Sequence, residues 1–251
     1  MDNGFIKSVQ QALESIVSVA PSPPALPGLT VTSLTGFFEY AAKASVLFGE
    51  DEYWRVWEDA YAAIQRYIRA RDGFWYRGVN MQTGALSTVI VDSLSAFFPG
   101  VQVLVGDLES AIKANSVQSF LWRRYSGLPE TFDINQRRAI SLGPSSVGYQ
   151  SSATDTLFSA TGYPLRPEFI ESNLFLAQST GDELYLEIAE RVLHDLNNRT
   201  RVDCGFAAIY NLETGTLEDK MPSFLISETL KYLYLTFDEV RSIPCTASLV
   251  D

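Results

Sequence analysis

Asn80-Met81-Gln82-Thr83-Gly84-Ala85-Leu86 returns as Asn211-Leu212-Glu213-Thr214-Gly215-Thr216-Leu217, the same Asn-x-x-Thr-Gly-x-Leu pattern at an offset of 131. A second correspondence lies upstream of each copy: Glu39, Gly49 and Tyr53 match Glu171, Gly181 and Tyr185 at an offset of 132. Two matches at nearly one offset mark an internal duplication, the signature of a repeat architecture. Each copy of the Asn-x-x-Thr-Gly motif follows a short aromatic or β-branched run, Phe74 to Val79 or Phe206 to Tyr210. The expectation is a strand, a turn at the glycine and a short return strand.

Working outward, apolar helical stretches close at Gly49, Gly106, Gly181 and Asp238, with spacings of 57, 75 and 57. In Ser179-Thr180-Gly181-Asp182-Glu183, Gly181 can adopt the left-handed conformation that ends one helix. Asp182 can cap the next, and Glu183 suits its first turn. Phe169, Leu174, Phe175 and Leu176 upstream, and Leu184, Ile188, Val192 and Leu196 downstream, fall at helical spacing. The repeating unit is therefore two antiparallel helices plus a hairpin. The fold class is all-α with short β-hairpins, its stacked αα units curving toward a toroid. The most apolar stretch, Val89 to Gly106, reads as a buried helix, because Asp92, Pro99 and Gly100 interrupt it too often for a membrane span.

Composition narrows the chemistry. Thirty acidic against 19 basic side chains, a net charge of -11, disfavour a surface that neutralises nucleic-acid phosphates. The single imidazole, His194, with only Cys204 and Cys245 as thiols, cannot supply the nitrogen and sulfur ligands of a zinc site. His194 reads as a partly exposed histidine on a helix from Glu183 to Asn197. Catalysis, if present, is expected from carboxylates. Met1 to Ala20 lacks the apolar run of a secretory leader, while Asn198-Arg199-Thr200 is an N-glycosylation acceptor triplet, meaningful only in the secretory pathway.

The densest polar cluster at a helix start is Arg166-Pro167-Glu168-Phe169-Ile170-Glu171-Ser172. Pro167 suits a first helical position, and Glu168 and Glu171 share one face of the first turn. They read either as charges that complement the helix dipole or as paired carboxylates aimed into a sugar cavity, one activating water. Glu228 stands in the apolar run Phe224 to Leu233, where a buried carboxylate needs a partner, a ligand or a raised pKa. Glu130 follows a turn in Gly127-Leu128-Pro129-Glu130 and by itself reads as a solvated loop acid. Trp54, Trp57, Trp75, Tyr76 and Trp122 are candidates for a sugar-stacking platform, though most aromatic content serves the core.

The Arg166 to Ser172 segment is followed by Thr180-Gly181-Asp182, Arg201-Val202-x-Cys204-Gly205-Phe206-Ala207 and Glu218-Asp219-Lys220-Met221-x-Ser223-Phe224. With Phe37-Phe38-Glu39-Tyr40 and Ala96 to Leu104 these motifs, in this order, resemble glycoside hydrolase family 47 over roughly residues 28 to 240. Within the family, the resemblance is to the ER degradation-enhancing alpha-mannosidase-like branch. Residues 1–27 and 241–251 diverge from it. The resemblance implies part of an (αα)7 barrel and inverting hydrolysis of alpha-1,2-mannose linkages. It also implies a calcium ion, high-mannose N-glycans on misfolded glycoproteins as partners, and the lumen of the endoplasmic reticulum as location.

Residue by residue, Glu130 and Glu168 match active-site carboxylates, Glu168 being the base that activates water. Arg166, Glu171, Phe224 and Glu228 match positions lining the mannose pocket. The match covers about the C-terminal half of the barrel, without the family's first catalytic acid. Thr35 stands where the family has an aspartate before Phe-Phe-Glu-Tyr. The Thr-Glu-Ala-His segment, whose threonine binds calcium, has no counterpart, so no metal ligand is assigned. The 251-residue chain alone is accordingly expected not to be a competent mannosidase; the alternative is a non-catalytic module that binds high-mannose glycan or misfolded clients.

Overall fold

The structure, a computed structural model, describes residues 31–80, 83–140 and 159–242. The expected segment 1–27, the expected segment 241–251 from residue 243 on, Met81, Gln82 and Cys245 lie outside them. The chain divides into two compact units, one of residues 1–69 and 76–88, the other of residues 70–75 and 89–251.

In the first unit, α1 (Val31–Phe48) ends at Gly49, whose φ of 72° is the left-handed conformation expected of it. α2 (Asp51–Ala63) starts with Asp51 and Glu52 in its first turn and buries Tyr53 and Trp57. It passes into a π-turn at Ile64–Ile68. The hairpin of β1 (Gly78–Val79) and β2 (Leu86–Thr88) follows.

The second unit opens with a three-stranded antiparallel sheet of β3 (Ile90–Asp92), β4 (Thr131–Asp133) and β5 (Arg138–Ala139). A 3-10 helix at Ser93–Phe97 and α3 (Phe98–Leu104) continue from β3. The expectation of one buried helix over Val89 to Gly106 is corrected in its first half. The β-branched run at its start pairs as a strand, with Asp92 opposite Thr131. The Asp92 carboxylate then accepts from Ser95 N–H at 2.8 Å and caps the helical part that follows.

α4 (Leu108–Tyr125), α5 (Glu168–Thr180), α6 (Leu184–Arg199) and α7 (Leu230–Ser242) complete the helices. Between α6 and α7 lie two hairpins, β6 (Arg201–Val202) with β7 (Gly205–Phe206), and β8 (Ala208–Asn211) with β9 (Thr216–Glu218). α5 touches α3, α4, α6, α7 and the 3-10 helix, so it is the element around which this unit packs. Its Phe169, Ile170, Leu174 and Leu176 are almost fully buried. Close approach is built in at Gly100, where a Cβ would stand 2.9 Å from the Phe175 ring and where the backbone N–H donates to Ser172 Oγ at 2.9 Å.

Gly181 ends α5 with φ 65°, and the Asp182 carboxylate accepts from Leu184 N–H at 2.9 Å, as the turn sequence requires. One helix-ending expectation fails. α7 runs through Phe237 and Asp238 to Ser242, since nothing at those residues supplies a left-handed cap. The platform expectation also narrows: Trp57 and Trp122 are each 2% exposed and belong to the interior. Trp122 donates its indole N–H to the buried Asp195 carboxylate at 3.1 Å.

Candidate functional site

The sheet register places the first pair of groups. Asp92 faces Thr131, and the ladder extends one step as Ser93 N–H donates to the Glu130 carbonyl at 3.1 Å. That step brings the two side chains together, and the Ser93 hydroxyl donates to Glu130 Oε1 at 2.5 Å. Arg166, just before α5, closes on the same carboxylate with two parallel bonds, Nε to Oε1 at 2.7 Å and Nη2 to Oε2 at 2.8 Å. Both side chains are 15% exposed. This fork geometry fixes the guanidinium plane as well as its charge. The reading of Glu130 as a solvated loop acid is thereby corrected: strand pairing carries it off the surface and against Arg166.

Arg166 is held from behind. Leu165, fully buried, has a φ of 66°, a conformation that costs a non-glycine residue about 1–2 kcal/mol. Its carbonyl accepts from the Thr229 hydroxyl at 2.8 Å, and the Arg166 carbonyl accepts from the Tyr163 hydroxyl at 3.1 Å. Two buried hydroxyls thus pin consecutive carbonyls of the strained segment. Strain kept by such over-determination is characteristic of functional segments. Burial, reinforced by the charges of Glu168 and Glu130, pushes the Tyr163 phenol well above its ordinary value, so it stays a protonated donor.

Glu168 opens α5 two residues later. Its Oε2 is buried and has no hydrogen-bond partner among the described residues. Desolvation pushes its pKa from 4.5 up to about 7. Its own backbone N–H and the Arg166 charge pull the other way, and the Glu130 and Glu171 charges add to the rise. The result is a carboxylate able to take and release a proton near neutrality.

The remaining expected residues divide. Phe224 sits with its ring centroid 6.0 Å from the Arg166 guanidinium carbon. Glu171 accepts from the Tyr232 hydroxyl at 3.1 Å, a bond from α5 to α7. Phe224 precedes one π-turn, Leu225–Thr229, and Glu228 lies within it, a feature often found at functional sites. Glu228 is half-buried there and, among the described residues, makes no hydrogen bond or ion pair. Arg166, Glu130, Glu168 and Phe224 therefore form one cluster, Glu171 is its neighbour, and Glu228 joins through its turn alone.

Ser93, Tyr163, Thr229 and Tyr232 escaped the sequence reading. Ser93 and Thr229 act across separations of 37 and 64 residues, for which helical or strand periodicity carries no signal. His194 is exposed on α6 as expected, with its ring beside Asp195 and Asn198. Calcium takes six to eight oxygen ligands. No group of three or more Asp, Glu, His and Cys side chains among the described residues gathers to hold an ion, so these residues do not by themselves make up such a site.

The model of glycosyl hydrolase family 47 matches residues 30–250. The chain is 40% identical over 216 residues to ER degradation-enhancing alpha-mannosidase-like protein 1 of Saccharomyces cerevisiae, covering 86% of this chain and 27% of that protein. It is 35% identical over 215 residues to the human ER degradation-enhancing alpha-mannosidase-like protein 2, covering 86% of this chain and 34% of that one. The chain thus spans about a quarter to a third of the length of these curated relatives. Among solved structures, alpha-1,2-mannosidase from Trichoderma reesei superposes with a TM-score of 0.71 at 22% identity, over 94% of this chain and 56% of that one. A cellobiose 2-epimerase from Spirochaeta thermophila reaches a TM-score of 0.56 at 12% identity, over 96% of this chain and 72% of that one. These two likenesses show the fold, an α-α barrel architecture with short antiparallel strands.

Proposed function

Because this chain belongs to glycosyl hydrolase family 47, we propose that its Arg166 cluster is part of a pocket for a terminal alpha-1,2-linked mannose of an N-glycan. The observation that carries the reading is Glu168: a carboxylate at a helix start, its inner oxygen unpartnered, its pKa pushed up to about 7. A general base is most effective when its pKa lies near the working pH. Glu168 is the group that takes a proton from the attacking water. Arg166 stays charged and, pinned by Glu130, orients a sugar hydroxyl or the water. Phe224 offers an apolar face to the ring, and Glu171 and Glu228 accept from sugar hydroxyls.

Inverting hydrolysis needs two carboxyl groups roughly 6.5–9.5 Å apart across the bond, one acid and one base. Among the described residues Glu130 is committed to Arg166 and Glu171 accepts from Tyr232. Of these three, Glu168 is the one poised for proton transfer. The 251-residue polypeptide by itself therefore binds the glycan without turnover, and trimming belongs to a protein that adds the second carboxyl group and the calcium ligands. The relatives' names, alpha-mannosidase-like and ER degradation-enhancing, support mannose-bearing glycans as the substrate class and the endoplasmic reticulum as the location; high-mannose N-glycans on misfolded glycoproteins are the partners we propose.

A second reading, a non-catalytic module for high-mannose glycan or misfolded clients, is favoured by the same tying-up of Glu130. Calorimetric titration of the purified 251 residues with high-mannose glycan, paired with a mannose-release assay in calcium, tests both. Saturable binding that weakens in Glu168→Gln and Phe224→Ala supports the pocket. Calcium-dependent mannose release by the polypeptide alone contradicts the lack of turnover, and absence of binding contradicts both readings.

A further inference from the structure

Asn198, Arg199 and Thr200 close α6, and their side chains have unequal structural duties. The Arg199 guanidinium turns inward and donates to the carbonyls of Leu212 at 2.8 Å, Ser126 at 3.3 Å and Tyr125. Thr200 is 1% exposed, and its hydroxyl donates to the Leu196 carbonyl at 2.7 Å. Asn198 points the other way. It is exposed on the polar face of α6 with Arg191 and His194, and among the described residues its Nδ2 hydrogen-bonds the His194 ring alone, 2.8 Å from Nε2. Opposite lie the buried Ala189, Val192 and Leu196. A large group on Nδ2 would thus meet solvent and displace one exposed contact, leaving the buried side of the helix untouched.

From this geometry and the triplet, we propose that Asn198 is an N-glycosylation site, a conclusion that rests on the endoplasmic reticulum location proposed above. Asn-Arg-Thr is an acceptor sequence with no proline at its centre. The donor class is an oligosaccharide joined to a lipid diphosphate. Asn198 Nδ2 attacks the anomeric carbon, a C–N bond forms, and the anomeric C–O bond breaks. That electron pair leaves with the diphosphate, and one amide proton passes to a base on the transferase.

The structure also sets the timing. In the folded chain Asn198 is locked in a helix and the Thr200 hydroxyl is buried against Leu196, so an extended acceptor triplet exists only before α6 forms. Attachment precedes folding, and the folded protein then carries the glycan on its exterior.

The test is expression of the complete reading frame in a eukaryotic cell, with a C-terminal tag carrying a reporter acceptor triplet. Glycans are removed with peptide:N-glycosidase and peptides are read by mass spectrometry. The expected result is conversion of Asn198 to aspartate in the wild type, with one glycan lost in Asn198→Gln and in Thr200→Val and retained in Thr200→Ser. Thr200→Ser keeps the hydroxyl, which separates loss of the acceptor from loss of the fold. A modified reporter with unmodified Asn198 overturns the proposal while leaving the location standing. Reporter and Asn198 both unmodified overturn the location and the proposal together.

Discussion

The duplication places two helices in register, and they have diverged where chemistry begins. At the offset of 132, Glu39 of α1 corresponds to Glu171 of α5, Gly36 to Glu168 and Leu34 to Arg166. α1 has no acidic residue in its first turn, and Glu39 pairs with Lys43 one turn on, a partly exposed ion pair. α5 begins with two carboxylates, preceded by an arginine held by Glu130 and by a strained, buried Leu165. One unit pairs its glutamate with a half-exposed lysine of the same helix; the other gathers several charges around one arginine and a desolvated Glu168. A shared scaffold therefore carries no site by itself. What makes one is the replacement of Gly36 and Leu34 by their charged counterparts, with strand pairing and two hydroxyls to hold them.

The comparison breaks most visibly under removal of a cation. Arg166→Met leaves Glu130 nearly buried without its guanidinium partner, and is expected to cost on the order of 3 kcal/mol. Lys43→Met, at the surface pair, is expected to cost less than about 1 kcal/mol. Denaturant midpoints measure both, and equal losses would erase the distinction between the two helices.

Glu168 gives the next largest effect, with a definite sign. Its folded-state pKa is raised, so the folded state holds the proton more tightly than the unfolded chain does. The stability it permits is fully present below pH 4.5, falls as pH rises from 4.5 to about 7, and levels off above. Glu168→Gln should be nearly neutral at pH 4 and should stabilise at pH 8 by up to about 3 kcal/mol, following from about 1.4 kcal/mol per unit of pKa. Unfolding measured at both pH values checks this, and a substitution effect independent of pH would contradict it.

Thr229→Val keeps the shape but leaves the Leu165 carbonyl without its donor, an expected loss of about 1–3 kcal/mol. Thr229→Ser should recover most of it. The smallest expected difference lies between the hairpins. In each, the asparagine side chain accepts from the threonine N–H, at 3.0 Å from Thr83 to Asn80 and 3.1 Å from Thr214 to Asn211. Gly84 and Gly215 follow at φ 67° and 71°. Gly84→Ala and Gly215→Ala should each cost about 1–2 kcal/mol, with Gly84 slightly the worse because its Cβ would meet the Tyr67 ring at 3.2 Å. Thermal melts of the pair test whether the two turns are equivalent.

These hairpins show what was legible in the sequence. Asn, Thr and Gly act within one turn, so their spacing alone announces the structure, as does Gly181 with Asp182. The Arg166, Glu168 and Glu171 cluster was legible as charge at a helix start, although its environment was not. By its local sequence alone Glu130 reads as a loop acid, because its partner lies 36 residues away and arrives only through strand pairing. Val89 to Gly106 was misread for a related reason: a continuous apolar run suits a buried strand as well as a helix. Its first residues pair with β4, a partner more than 35 residues away that the run itself does not announce. Ser93, Tyr163 and Thr229 carry no pattern at all, since a single hydroxyl becomes informative only when the carbonyl or carboxylate it meets is known.

The central claim is that Glu168 is the carboxylate poised for proton transfer. A carbon-13 NMR titration of the glutamate carboxyls, with Glu168→Gln to assign its signal, measures this directly. The expected midpoint is about 7; a midpoint at the ordinary value of 4.5 would show Glu168 to be a carboxylate like any other.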